Sequence, residues 1–281
     1  MPLKGIISPS GKELSWEQYL VSNERGLFPR PARYNMFREL APARSRWISP
    51  SSLCYCLRKA KWEFEREYYL TEQSAYPLFR GCIVHTMFAT PKETNEGALV
   101  EEDIKCKIPG TDFVIGGRLD RWEKEILSDY KSLADNGMHI LASTGIKQEH
   151  IWQTNIYKLI LKRGYNLDTK EIKIIYVTMK GIVQSGSTFH ISDRRGGEKE
   201  IKLASCPIYA DDKILDFMVP KIKLITEGYA PPAAPQDWLC KSCYFKRECE
   251  ATIGKGTSQV EDMAMPKTPE IPKSVDVNDL F

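Results

Sequence analysis

The sequence predicts a mixed α/β fold, and segments in the middle of the chain carry that prediction. Residues 112–121 and 125–131 alternate in character around a turn near Glu123, as two paired strands do. Residues 147–162 are apolar at helical spacing, and residues 171–179 form a β-branched run typical of a strand. A strand, a helix and a strand in this order predict a right-handed crossover that leaves two strands parallel in one sheet.

The remaining elements are predicted from caps and periodicity. Ser51 or Ser52 is expected to cap a helix over residues 53–69, and Gly164 is expected to cap the end of the 147–162 helix. Residues 78–88 and 213–226 are predicted to be two further helices.

Composition divides the chain into three zones. Residues 1–49 hold eight Lys and Arg against four Glu and are interrupted by prolines, so we expect a basic, loosely helical lead-in. Residues 50–250 have the periodicity of a folded core. Residues 251–281 have no apolar period and are expected to be a disordered tail.

The overall balance is that of a globular protein. The 281 residues are 42% hydrophobic and 27% charged, and the net charge is only +3, so any contact with nucleic acid must depend on local charge. No apolar run is long enough for a membrane helix, and the first twenty residues lack a signal peptide, so we expect a cytoplasmic protein with no membrane partner. In a reducing compartment, its eight cysteines are expected to be thiols or metal ligands.

Residues 116–132 contain a carboxylate and lysine pattern. On a strand, Asp129 and Lys131 point to the same face, and Asp120 on the neighbouring strand could meet them. Two carboxylates and a lysine make a poor core, because each buried charge needs a compensating group. They suit a metal site, because Mg²⁺ binds carboxylate oxygens and can also hold a phosphate oxygen. A nearby lysine can then offset the negative charge of the transition state. We also expect Gly116 and Gly117 to leave room for a DNA backbone. When a D-x-K triplet occurs alone, its charged residues more often lie on the solvent-exposed edge of a hairpin than in a metal site.

Further candidate site residues lie on both sides of this pattern in the sequence. His85 lies in the upstream helix, and Gln153 and Tyr157 share one face of the 147–162 helix. Taken singly, each is more often a structural residue.

The combined pattern resembles the PD-(D/E)XK nuclease superfamily, and within it the RecB-type exonucleases. The resemblance rests on His85, the Gly117–Asp120 motif, the Asp129–Lys131 motif and the Gln153–Tyr157 motif. It implies a restriction-endonuclease-like core, a mixed sheet flanked by helices. It also implies a Mg²⁺ or Mn²⁺ ion bound by His85, Asp120, Asp129 and the Tyr130 carbonyl, with Lys131 as the catalytic lysine and Gln153 and Tyr157 supporting the site or contacting DNA. Leu119 stands where the superfamily's name has proline.

A cysteine cluster near the end of the core forms a second pattern. Cys240, Cys243 and Cys249 have the spacing of metal ligands and need a fourth partner. Cys54, Cys56 and Cys82 are the upstream candidates, whereas Cys106 and Cys206 suit buried free thiols. Thiolates alone do not distinguish zinc from an iron–sulfur cluster.

CRISPR-associated members of the same nuclease family carry one cysteine before the nuclease motifs and three after. This resemblance implies a [4Fe–4S] cluster held by Cys56, Cys240, Cys243 and Cys249, a staple that joins the N- and C-terminal segments of the core.

Three functions compete at this point. The first is a metal-dependent DNA exonuclease that acts on single-stranded ends or overhangs, 5′→3′ by resemblance, in CRISPR adaptation, phage recombination or DNA repair. Its expected protein partners are a CRISPR integrase, a helicase or a recombination protein. The second is a non-catalytic, zinc-stabilised DNA-binding module, and the third is an adaptor that recruits partners through its acidic C-terminal end. Lys131 beside Asp129 favours the enzyme, because a phosphate-binding module has no need of carboxylates facing its ligand.

Overall fold

The computed structural model describes residues 3–40, 47–88, 97–134, 136–178, 181–192, 197–230, 239–240 and 243–253. The strands are β1 (Leu3–Ile7), β2 (Glu13–Ser15), β3 (Tyr68–Thr71), β4 (Leu99–Lys107), β5 (Val114–Glu123), β6 (Ile126–Ser132), β7 (Glu171–Thr178), β8 (Gly181–Gln184), β9 (Thr188–Ser192) and β10 (Glu198–Lys202). The helices are α1 (Trp16–Val21), α2 (Arg30–Leu40), α3 (Pro50–Cys54), α4 (Leu57–Glu65), α5 (Glu72–Phe88), α6 (Gly137–Thr144), α7 (Gln148–Tyr165), α8 (Asp211–Thr226) and α9 (Lys246–Ile253).

A five-stranded mixed sheet in the order β4-β5-β6-β7-β8 forms the centre of the fold. Strands β6 and β7 are parallel and the other neighbours are antiparallel. The predicted strand pair, the crossover helix and the parallel partner strand are therefore confirmed. Helix α7 packs on α8, where Trp152 and Phe217 stack with ring centroids 3.9 Å apart.

The N-terminal segment forms its own small sheet, so the expected loosely helical lead-in is wrong for residues 3–15. Strand β1 pairs antiparallel with β2 and parallel with β3. Its core is separate from the main one and includes the buried residues Ile6, Tyr19, Met36 and Leu70. The Tyr19 hydroxyl donates a 2.6 Å hydrogen bond to Glu72 Oε1. This contact ties the segment to the first turn of α5.

The predicted helix over residues 53–69 is wrong as a single element. Cys56 has extended backbone angles, φ −85° and ψ 112°, and becomes the N-cap of α4, so the chain forms two helices followed by β3. The cap of the first of them is Ser49, whose side chain accepts a hydrogen bond from the Ser52 N–H.

Gly164 does not end α7. The helix runs to Tyr165, and its C-cap is Asn166, which is left-handed with φ 55° and ψ 37°. A Cβ on Gly164 would lie 2.7 Å from the Lys105 carbonyl oxygen, so the glycine allows α7 to approach β4. The predicted helices over 78–88 and 213–226 are present within α5 and α8.

Two further expectations concern the C-terminal tail and a membrane-spanning helix. Residues 251–253 of the predicted tail form the end of α9, so the expected disorder is wrong there, and the residues from 254 onward lie outside the described residues. Among the helices that the structure describes, none is long and apolar enough to cross a membrane.

Candidate active site

Strands β5 and β6 separate where their acidic residues lie. Their ladder runs from the pair Glu123–Ile126 to the pair Arg121–Ser128. Just beyond it, the Tyr130 backbone N–H donates to Asp120 Oδ2 at 2.6 Å. The Asp120 side chain thus completes the backbone pairing that the strands no longer make, and this fixes its carboxylate beside Asp129.

Asp129 and Lys131 form an ion pair on one face of β6. Lys131 Nζ lies 2.9 Å from Asp129 Oδ1 and 2.8 Å from Oδ2. Asp129 is 2% exposed, so this carboxylate is held inside the protein. The convergence predicted from the D-x-K spacing is present in the structure.

His85 reaches the site from α5. Its Nδ1 lies 3.1 Å from Asp120 Oδ1 and 3.3 Å from Glu101 Oε1. The Tyr130 ring stacks on Phe88 with centroids 4.9 Å apart and meets the His85 ring edge-on. These ring contacts hold the end of α5 over β6.

Glu101 is the site residue that the sequence analysis missed. The register of β4 on β5 pairs Val100 with Arg121 and Glu102 with Leu119, which places Glu101 opposite Asp120. Glu101 also has a positive φ of 52°, which is strained for this residue type. Only the pairing of β4, which was not predicted, could have revealed it.

The environment of the site raises the proton affinity of Asp129 and of His85. Burial, followed by the charge of Asp120, raises the pKa of Asp129 to about 6, although Lys131 lowers it. Burial lowers the pKa of His85, but hydrogen bonds to Asp120 and Glu101 outweigh burial and raise it to about 10. Without a metal, the site therefore relies on bound protons and Lys131 to balance its negative charge.

These residues fit a divalent cation. Ligand atoms of His85, Glu101 and Asp120 all lie within 4.8 Å of one another. Asp129 Oδ2 and Glu101 Oε1 are buried and accept no hydrogen bond of normal geometry, although each makes an ion-pair contact. Like charges on facing strands destabilise a sheet unless a cation lies between them. Carboxylate oxygens are the ligands that Mg²⁺ and Mn²⁺ prefer.

Gln153 and Tyr157 support the site from α7 and are both buried. The Tyr157 hydroxyl donates a 2.9 Å hydrogen bond to the Arg118 carbonyl, and Gln153 is hydrogen-bonded to the same hydroxyl. This joins α7 to β5 two residues before Asp120.

The expectation that Gly116 and Gly117 face DNA is wrong. Both glycines are buried, and a Cβ on Gly117 would lie 2.8 Å from the Tyr157 hydroxyl. A Cβ on Gly116 would lie 2.8 Å from the Ile104 carbonyl oxygen. The glycines therefore serve internal packing between β5 and its neighbours.

The cysteines of the predicted cluster lie at the start of α4, and in α9 and the segment that leads into it. Burial raises the pKa of Cys243, and the charges of Cys56 and Cys240 raise it further. The Cys243 N–H donates to the Cys240 carbonyl in a tight turn. Cys249 Sγ accepts a 3.4 Å hydrogen bond from the Arg58 guanidinium, which is itself buried. Cysteine sulfurs are the ligands of structural zinc sites and of iron–sulfur clusters, so the residue types of this set suit such a centre.

The upstream alternatives lie elsewhere. Cys54 is buried beside Lys221, and burial raises its pKa to about 12, so it is a neutral thiol. Cys82 packs against the N-terminal core. Cys106 and Cys206 are buried in the main core, as expected for free thiols.

Aromatic contacts hold the cysteine segment independently of any metal. The Tyr244 ring stacks on Tyr68 with centroids 5.0 Å apart, and Phe245 packs edge-on against Trp62 at 5.3 Å. The Tyr244 hydroxyl also donates to Glu63.

Comparison with known proteins identifies the family. A solved structure described as the crystal structure of SSO0001 is similar to the chain, with a TM-score of 0.49 and 19% sequence identity over 78% of this chain and 93% of that one. No curated protein matches the sequence. The family model for the PD-(D/E)XK nuclease superfamily matches residues 63–250, which include the carboxylates, Lys131 and the three downstream cysteines. The chain therefore belongs to the PD-(D/E)XK nuclease superfamily.

Proposed function

We propose that the protein is a Mg²⁺- or Mn²⁺-dependent exonuclease of the RecB type that degrades DNA from single-stranded ends or overhangs. The observation that carries the proposal is the convergence of Asp120, Asp129 and Lys131 beside His85 and Glu101. The proposed catalytic domain spans residues 50–250, between the lead-in and the tail, and DNA is its partner.

Each side chain has a role in this proposal. Asp120, Asp129, His85 and Glu101 hold the cation, together with the Tyr130 carbonyl. When bound, the cation supplies Lewis acidity and orients a phosphate oxygen. Lys131 donates hydrogen bonds from Nζ, which orient the attacking water and stabilise negative charge that develops on the phosphate.

Two buried residues of α7 hold the catalytic strand in place. Gln153 and Tyr157 fix β5, and with it Asp120, through the Arg118 carbonyl. They are too deeply buried to contact a DNA strand directly, so they act as positioning residues. The basic side chains around the site would bind the phosphates along the strand.

We further propose that Cys56, Cys240, Cys243 and Cys249 hold a structural [4Fe–4S] cluster. The effect of the Cys56 and Cys240 charges on Cys243 and the contact of Arg58 with Cys249 support this ligand set. The anaerobically purified protein should be brown, with broad absorption near about 400 nm. Alanine at Cys240, Cys243 or Cys249 should bleach it, and Cys206→Ala should not. One zinc per chain without iron or sulfide would overturn the assignment.

End-labelled single-stranded DNA tests the nuclease proposal. Asp129→Ala and Lys131→Ala should each lower the rate at least ~10³-fold, the scale for cooperating catalytic groups. The exposed ion pair of Lys107 and Asp112 offers matched controls, Lys107→Ala and Asp112→Ala, which should leave the rate unchanged. EDTA should abolish cleavage, and Ca²⁺ should not replace Mg²⁺.

The same assay separates the exonuclease from a wider nuclease activity. An exonuclease needs an end, so circular single-stranded DNA should resist while its linear form is degraded. Cleavage of the circle would refute the exonuclease proposal. Full activity of Asp129→Ala would place the catalytic site elsewhere.

A further inference from the structure

We infer that Arg58 is the internal cation that neutralises the thiolate centre of Cys56, Cys240, Cys243 and Cys249, and that it thereby sets how firmly the centre is retained. The inference rests on the cysteine ligand set of the proposed function. It adds a positioning residue that is neither a ligand nor part of the nuclease motifs.

The contacts of Arg58 are unusual for a buried guanidinium. The side chain is 3% exposed. Nη1 donates to Cys249 Sγ at 3.4 Å, and Nε donates to the Ala230 carbonyl at 3.3 Å. The guanidinium lies 4.9 Å from the centroid of the Tyr229 ring. The hydrogen-bonding partners are thus a sulfur and a neutral carbonyl.

Arg58 lacks an anion in this environment. Its Nη2 is buried without a hydrogen-bond partner, and among the described residues no carboxylate makes an ion pair with it. An arginine cannot lose its charge in a protein, and an uncompensated buried charge is strongly destabilising. Neutral thiols would not compensate it, whereas metal-bound thiolates are anionic and would.

The helix that carries Arg58 favours the same charge distribution. Cys56 is the N-cap of α4, and the first turn of that helix contains no acidic residue. The positive end of the α4 dipole therefore lies at Cys56. Lys59, on the same turn, adds a second positive charge and also pairs with Glu63 at 3.9 Å. Among the described contacts of the four cysteines is a cation that touches a sulfur, the Arg58 guanidinium.

Three variants test the inference. Arg58→Met removes the charge and keeps an apolar side chain, and Arg58→Lys keeps the charge without the guanidinium fork. Arg66→Met is the matched control, because Arg66 is exposed at the end of the same helix and lies over the Trp62 ring at 4.9 Å. Iron, sulfide and zinc per chain are measured first on the wild type.

We expect Arg58→Met to lose its colour in excess chelator at least ~10-fold faster than the wild type, as the loss of a hydrogen bond to a charged group implies. Its midpoint potential should become more negative, because a nearby cation favours the reduced, more negative cluster. Arg58→Lys should fall between the two, and Arg66→Met should match the wild type. Equal retention and potential in Arg58→Met would overturn the inference.

A second arm separates charge neutralisation from simple packing. In chelator-stripped protein, Arg58→Met should resist urea as well as the wild type or better, because it lacks the uncompensated charge. An Arg58→Met variant that is equally destabilised with and without the centre would show a packing role and overturn the inference. If the wild type holds zinc, the cluster proposal fails and the rate of zinc release decides the role of Arg58. If it holds no metal, the cluster and this inference both fail, while the nuclease assay is unaffected.

Discussion

Asp129→Asn should stabilise the metal-free protein at neutral pH while it abolishes hydrolysis. Burial and the charge of Asp120 raise the pKa of Asp129 from 3.8 to about 6. Between these two values the folded protein holds a proton that the unfolded chain has released. At about 1.4 kcal/mol per pKa unit, keeping the carboxylate ionised in the fold costs roughly 3 kcal/mol above pH 6.

The direction of the shift determines the pH range of the effect. Because the folded pKa is raised, stability falls as the pH rises from about 4 to 6 and is then constant with respect to this group. The attraction of Lys131 for the carboxylate is already included in this pKa, so the cost of about 3 kcal/mol is the net one and an upper bound on the gain. We therefore expect Asp129→Asn to raise the free energy of unfolding by about 1–3 kcal/mol at pH 7.5, and by less than about 1 kcal/mol at pH 4.

Urea unfolding in EDTA, followed by tryptophan fluorescence, measures the effect at both pH values. Asp103→Asn is the control, because Asp103 is an exposed carboxylate on β4 whose ion pair with Arg118 spans 3.6 Å. Added Mg²⁺ should stabilise the wild type more than Asp129→Asn, since a ligand of the folded state stabilises by mass action. A variant destabilised equally at pH 4 and pH 7.5 would refute the reasoning and make the ion pair with Lys131 a structural contact.

Three further predictions follow from individual contacts. Gly117→Ala should lower the free energy of unfolding by about 1–3 kcal/mol, because the new Cβ would clash with the Tyr157 hydroxyl. Adding Tyr157→Phe should restore part of the lost stability, which a double-mutant cycle measures by urea unfolding. Glu101→Gln should weaken Mg²⁺ binding at least ~10-fold by calorimetry and leave metal-free folding intact, and unchanged affinity would remove Glu101 from the ligand set. Burial lowers the pKa of Lys221 to about 8 while its Nζ donates to the Leu53 carbonyl, so stability should rise between pH 8 and 10.5, and Lys221→Met should flatten that rise in urea titrations.

The central sheet was predictable because its signals are local. The period of two in β5 and β6, the helical period of α7 and the β-branched run of β7 lie within short stretches of sequence. The handedness of the crossover then leaves one arrangement of the parallel pair. The N-terminal sheet was missed because the pairing of β1 with β3 joins residues more than sixty positions apart. Tyr68 and Tyr69 of β3 also fell within the predicted helix over residues 53–69.

The sequence by itself determined the chemistry of the site, because the D-x-K spacing on a strand places Asp129 and Lys131 on the same face. It also determined the residue types of the cysteine cluster. The tertiary structure decided which distant residues lie beside these groups. The register of β4 on β5 places Glu101 opposite Asp120, and the fold brings Arg58 to Cys249, which is 191 positions away. It also decided that Gly116, Gly117 and Gly164 serve close packing. A glycine in the sequence shows only that a side chain is absent, and the approach of a second element shows what fills the space.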